Sequence, residues 1–171
     1  MKSRSAIFVV VLLLLTVSIC AAQSPMGFSP DEFYQTFLDF KTSVDGPDCS
    51  YVKLDEEAGA YIIVNGKSFV ILNYKDNELT EVYTVFPIDD DSDETWEDNR
   101  AVIYSTLLTL IVESGAPLDL DVVDEVSDMV IDLVAYETSK EYSGFCFEYE
   151  SKEQDDFTAG IIRAVKSGST N

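Results

Sequence analysis

Apolar residues along this chain change their spacing several times, and each change marks an element. Between Phe28 and Val44 they fall at Phe33, Phe37, Phe40 and Val44, the i, i+4, i+7, i+11 stripe of a helix with one buried face. Ser29-Pro30-Asp31-Glu32 supplies its start: a Ser N-cap, Pro at the first helical position and Glu three residues on, with Phe28 and Phe33 placed as a hydrophobic staple. Asp45-Gly46-Pro47 ends it.

From Cys49 to Phe86 the period drops to two, which predicts strands at Ser50–Leu54, Ala60–Val64, Lys67–Asn73 and Thr80–Phe86. Asn65-Gly66 between the second and third is a two-residue hairpin signal, because a type I′ turn needs residues that accept a positive φ. That register puts Ala60, Ile62, Val64, Phe69 and Ile71 on one face and Tyr61, Ile63, Val70 and Leu72 on the other. Both faces are apolar, so both need cover. Either the first helix takes one face and later helices the other, or one face is left for a partner.

The residues from Ala101 to Val112 are apolar on nearly every side and predict a buried helix stopped by Ser114-Gly115. A third helix is expected from Asp121, as N-cap, to Tyr136, with Val122, Val126, Met129, Val130 and Leu133 inward and Asp124, Asp128 and Asp132 outward. Alternation returns in the closing segment, where Phe145, Phe147 and Tyr149 face away from Cys146 and Glu148. A turn over 150–156 then leads to a last strand at Phe157–Val165. The order is helix, a meander of three to four strands, two helices, then a C-terminal hairpin. It defines an α+β two-layer domain with a mainly antiparallel sheet.

Ahead of this domain, Lys2 and Arg4 precede the apolar run Ala6–Leu15 and a small-residue stretch that ends at Ala22, the layout of a secretory signal peptide. Ile19 is bulky where lipoprotein processing at Cys20 wants a small residue, so cleavage is expected at Ala22/Gln23. The chain then divides into a signal at 1–22, one acidic domain at 23–166 and a short flexible tail at 167–171, and the protein is expected outside the cytoplasm, secreted or in the cell envelope. After cleavage nothing remains that would insert into a membrane. Whether the domain works as a monomer or a dimer is left open.

Charge narrows the partners. Acids outnumber bases 32 to 11, for a net charge of −21, and the signal would remove two of the bases and no acid. The remaining Lys and Arg are scattered singly, so the surface repels nucleic acid, and its charged partners are basic or amphipathic proteins, or cations. With Cys20 gone, Cys49 and Cys146 are the one possible disulfide in an oxidising compartment.

The chain has no histidine, which removes Ser-His-Asp and Cys-His catalysis and His-ligated zinc. No Gly-rich phosphate loop is present either. Carboxylate chemistry survives, as in glycoside hydrolysis, where two acids flank the scissile bond. A metal is the sharper possibility. Asp89, Asp91 and Asp93 repeat the alternate-residue spacing of a calcium loop, with Glu94 beside them. The pattern nonetheless lacks Gly at its sixth position, which is Glu94, and Glu at its twelfth, which is Arg100. Trp96, at the end of this acidic run, and the like-charged stripe Asp124, Asp128 and Asp132, which costs stability unless a basic surface meets it, are candidate contact residues. The leading expectation is an exported, non-enzymatic binding domain. Its alternatives are a calcium-binding envelope or extracellular protein and a carboxylate-dependent hydrolase.

Overall fold

In the computed structural model the described residues are 24–43, 49–55, 60–65, 67–88, 93–136, 138–154 and 157–168. Helix α1 (Pro30–Ser43) is followed by strands β1 (Cys49–Asp55), β2 (Ala60–Asn65), β3 (Ser68–Lys75) and β4 (Glu78–Pro87). Helices α2 (Asp93–Glu113) and α3 (Leu120–Tyr136) come next, and β5 (Ser139–Tyr142), β6 (Phe145–Gln154) and β7 (Phe157–Lys166) close the chain. All seven strands form one antiparallel sheet in the order β1-β2-β3-β4-β7-β6-β5. The α+β class and the order of elements are as the sequence predicts. The strand count is higher, because β5 adds an edge that Ser139–Tyr142 does not advertise by alternation.

Local chemistry accounts for the ends of the helices. Ser29 Oγ accepts the Glu32 backbone N–H at 3.2 Å while Glu32 Oε2 accepts the Ser29 N–H at 2.7 Å, a complete capping box that holds the Glu32 carboxyl below its usual range. Phe28, Phe33 and Phe37 are buried beneath it. Helix α3 is capped two residues earlier than expected: the Oδ1 of Asp119, not Asp121, accepts the Val122 N–H at 3.0 Å. Helix α2 likewise begins eight residues before the expected Ala101, so Asp93, Glu94, Trp96, Glu97 and Asp98 belong to its first turns and not to a loop. Carboxylates gathered at a helix N-terminus favour this outcome, since they offset the partial positive charge of the unpaired N–H groups. Thr106 and Thr109 fit inside this buried helix by donating to the carbonyls of Val102 and Ser105, at 2.8 and 2.6 Å.

Two-residue turns set the sheet register. Asn65 pairs with Ser68 across the predicted turn. Asp76 and Asn77, with φ of 53° and 65°, join β3 to β4, and Ser143 and Gly144, at 49° and 80°, join β5 to β6. The two halves of the sequence meet where β4 pairs with β7, Val85 opposite Ile161. Ser167 donates its N–H to Gly144 at 2.7 Å, so the first residue of the expected tail is tied to the domain.

All three helices lie against one face of the sheet. There Ile63, Val70, Leu72, Val82, Phe86, Phe147, Tyr149 and Ile162 form a single core with Phe33 and Phe37 of α1, Ile103, Leu107 and Leu110 of α2, and Val126, Val130 and Leu133 of α3. Among the described residues no helix packs on the other face, whose apolar side chains form a cluster of their own.

The expected bridge between Cys49 and Cys146 is not formed. Cys49 lies on an edge strand and Cys146 on β6, five strand spacings away, or about 24 Å, against the 7 Å that a disulfide tolerates between Cα atoms. Strand alternation also points the two side chains to opposite faces.

Candidate functional site

The second face of the sheet is the one on which none of the described helices packs. At its centre Phe69 and Ile71 of β3, Tyr83 and Val85 of β4, and Ala159 and Ile161 of β7 form an apolar cluster separate from the main core, with no described helix residue in it. Cross-strand register explains the grouping: Phe69 stands opposite Val85, Ile71 opposite Tyr83, and Val85 opposite Ile161. Each member is 5% exposed or less.

Toward the opposite end of the same face the chemistry turns ionic. Glu81, on β4, is buried, and its Oε1 accepts from Arg163 Nη2 at 2.6 Å and Nε at 2.9 Å. Arg163 Nη1 reaches Glu148 Oε2 at 2.8 Å, and Asn73 Nδ2 donates to Glu81 Oε2 at 3.2 Å. Burial works against the guanidinium charge, but the hydrogen bonds to Glu81 and Glu148 outweigh it and raise the Arg163 pKa. Glu150, on the outer strand β6, pairs with Lys152 at 2.8 Å. The face is therefore an apolar centre with an ionic border, in which Arg163 pairs with Glu81 and Glu148 and Lys152 with Glu150.

The acidic stripe of α3 is only partly as expected. Asp124 and Asp128 are exposed, but Lys140 of β5 donates to Asp132 Oδ2 at 2.9 Å, so the last member has a basic partner from an element that the sequence hides. On the same helix Glu125 accepts from the Tyr142 hydroxyl at 2.6 Å; that bond, with some burial, pushes the Tyr142 pKa up to about 12.

Sequence reasoning missed a stack of four tyrosines on the helix-covered face, near the β1 edge. Ring centroids of Tyr34 and Tyr51 are 4.2 Å apart, those of Tyr51 and Tyr61 4.8 Å, and those of Tyr61 and Tyr74 5.2 Å. Tyr51 also donates to Asp31 Oδ1 at 3.0 Å, and burial together with that bond raises its pKa well above the usual range. Lys53 lies 5.6 Å from the Tyr61 ring. Only the strand register brings these residues together. The signal was present as Tyr51 and Tyr61, which face each other's strands once Asn65-Gly66 fixes the hairpin and β1 is paired to it.

Of the four candidate metal ligands, Asp89 and Asp91 lie outside the described residues, and Asp93 and Glu94 open helix α2. Among the described residues no group of three or more Cys, Asp or Glu side chains could hold a metal ion. Trp96 sits in the first turns of α2, and Asn99 fixes that end of the helix to the sheet, donating to the Pro87 carbonyl at 2.8 Å and accepting from Ser68 Oγ at 2.7 Å. No described helix is long and apolar enough to cross a membrane. No family model, curated protein or solved structure matches this chain.

Proposed function

We propose that the protein is an exported, non-enzymatic binding domain that receives a basic or amphipathic protein on the second face of its sheet. The observation that carries this reading is that the described helices all pack on the opposite face, so that no described helix residue joins the cluster of Phe69, Ile71, Tyr83, Val85 and Ile161. The net charge of −21 favours a cationic partner and makes its capture sensitive to salt. Export rests on the basic start and apolar run that precede the domain.

The test is a titration of the domain that begins at Gln23 with an amphipathic Leu/Lys helical peptide and its Leu/Glu counterpart, at low and high salt. Saturable binding of the Lys peptide alone, weakened by salt and weakened at least tenfold by Ile161→Asn, is the expected result. Equal binding of both peptides, or an affinity that Ile161→Asn leaves unchanged, overturns the reading.

A further inference from the structure

Among the described residues five large apolar side chains are exposed, and four of them, Leu118, Leu120, Ile131 and Tyr136, lie on helix α3 or just ahead of it. Single apolar residues are ordinary at a surface, but their gathering on one element is not. We infer that the outward side of α3 is a docking surface for a cationic amphipathic helix, separate from the second face of the sheet and resting on residues of its own.

Helix periodicity sorts the residues of α3 by side. Val126, Met129, Val130 and Leu133 are buried in the main core. Leu120, Asp124, Asp128 and Ile131, at i, i+4, i+8 and i+11, fall within about 80° of one another on the opposite side. All four are exposed, Leu120 at 82% and Ile131 at 57%. They make a line about 16 Å long, three helical turns, with an apolar residue at each end and two aspartates between.

Charge separates this side from the rest of the helix. Helix α3 carries five acids, Asp121, Asp124, Glu125, Asp128 and Asp132, and no base. Strand β5 engages two of them, since Tyr142 donates to Glu125 and Lys140 to Asp132. Asp121 lies in the first turn, where the unpaired N–H groups favour a carboxylate. Asp124 and Asp128 have no hydrogen-bond or ion-pair partner among the described residues. They stand one turn apart and repel each other, and the last turn offers no base to offset them. The pair is a cost to the free helix and a source of affinity once a cation lies over it.

The same arrangement selects the occupant. A second copy of the chain does not fit: packed antiparallel along the stripe it sets Asp124 against Asp128, and packed parallel it sets each aspartate against its own counterpart. The fitting partner is a helix of at least three turns whose contact stripe holds two Lys or Arg one turn apart, with an apolar residue three or four positions beyond each. Its bases then lie over Asp124 and Asp128 while its apolar ends cover Leu120 and Ile131.

The test is fluorescence anisotropy on the full chain with two labelled helical peptides of that stripe pattern, one with Lys and one with Glu at the two central positions. The Lys peptide should bind the wild-type chain and bind Asp124→Lys with Asp128→Lys at least tenfold more weakly, while the Glu peptide binds that variant better than it binds wild type. Glu78→Lys with Glu153→Lys makes the same change in net charge at exposed sites elsewhere and should weaken the Lys peptide less than threefold. Ile131→Ser should weaken it at least threefold. The substituted side chains are exposed, so the variants keep the fold, which circular dichroism checks. Failure of the Lys peptide to bind wild type, equal weakening by the two double variants, or an unchanged affinity in Ile131→Ser overturns the inference. A loss confined to Ile161→Asn also overturns it and keeps the sheet-face reading, whereas a loss confined to the α3 variants removes that reading and leaves this inference standing.

Discussion

Gly160 of β7 lies directly under the ring of Phe86 on β4: a Cβ at that position would fall 2.4 Å from the ring's Cε2 atom. The close approach lets the Phe86 ring lie over β7 and stack with Tyr149 at 6.4 Å in the core beneath the helices. Gly160→Ala should therefore destabilise the domain by about 1–3 kcal/mol, the range for overpacking a filled core. Urea unfolding of the single variant and of Gly160→Ala with Phe86→Leu checks the cause. The double variant should cost less than the sum of the two single ones, and simple additivity would contradict it.

The Tyr51 ring stacks between Tyr34 and Tyr61 while its hydroxyl holds Asp31, so its two roles separate by substitution. Tyr51→Phe keeps the stack and loses one hydrogen bond, at a cost of about 1 kcal/mol. Tyr51→Ala removes the ring and should cost about 3 kcal/mol or more. Equal losses in the two variants, measured by denaturant midpoints, would show that the stack contributes nothing.

Tyr142 gives a pH signature at the alkaline end. Its neutral hydroxyl donates to Glu125, so the folded chain keeps the phenol proton past about pH 10, where an unfolded tyrosine loses it. The stabilisation is complete below that value and is lost as the pH rises through about 12. An ultraviolet phenolate titration should show one step near pH 12 that disappears in Tyr142→Phe and moves toward pH 10 in Glu125→Gln.

Arg163 pairs with the buried Glu81 carboxylate, its Nη2 2.6 Å from Glu81 Oε1. Arg163→Met should cost about 3–5 kcal/mol, because it strips a cation from a carboxylate that burial has taken out of water. Glu81→Gln with Arg163→Met should recover part of that loss in thermal unfolding. A double variant no more stable than Arg163→Met alone would assign the loss to packing.

Cys49 and Cys146 should both be alkylated without reductant in the domain that begins at Gln23, and a reductant should leave its melting temperature unchanged. Burial raises the Cys146 pKa, helped by Glu148 and Glu141, so this thiol should react more slowly than an unstructured cysteine. An intramolecular bridge found by mass spectrometry would require a different strand order.

What the sequence discloses here is what is decided over a few residues. The capping box of Ser29 and Glu32, the Asn65-Gly66 turn and the two apolar faces of β2 and β3 depend on neighbours in sequence, and they are legible in it. The start of α2 was not, because Asp93 to Asp98 look like a solvated loop until the pull of a helix N-terminus on carboxylates is counted. Strand β5 escaped because Ser139-Lys140-Glu141-Tyr142 has no apolar alternation; it forms by pairing with β6, and Lys140 then reaches Asp132. The disulfide was misjudged because composition shows how many cysteines there are, whereas strand order decides how far apart they lie. The tyrosine stack and the Glu81–Arg163 pair join residues across strands, and no local pattern announces them.

The pairing of Val85 with Ile161 also fixes a sequence of events in synthesis. Strand β4 is made before α2, α3, β5 and β6, and its pairing partner β7 is nearly the last part of the chain to emerge. Until then the meander β1–β4 presents β4, whose residues from Glu81 to Pro87 are all buried in the finished fold, as a bare edge, open to any other extended chain it meets. The half-made protein is thus the form most exposed to aggregation, and its safety depends on how quickly the C-terminal residues arrive to close the sheet.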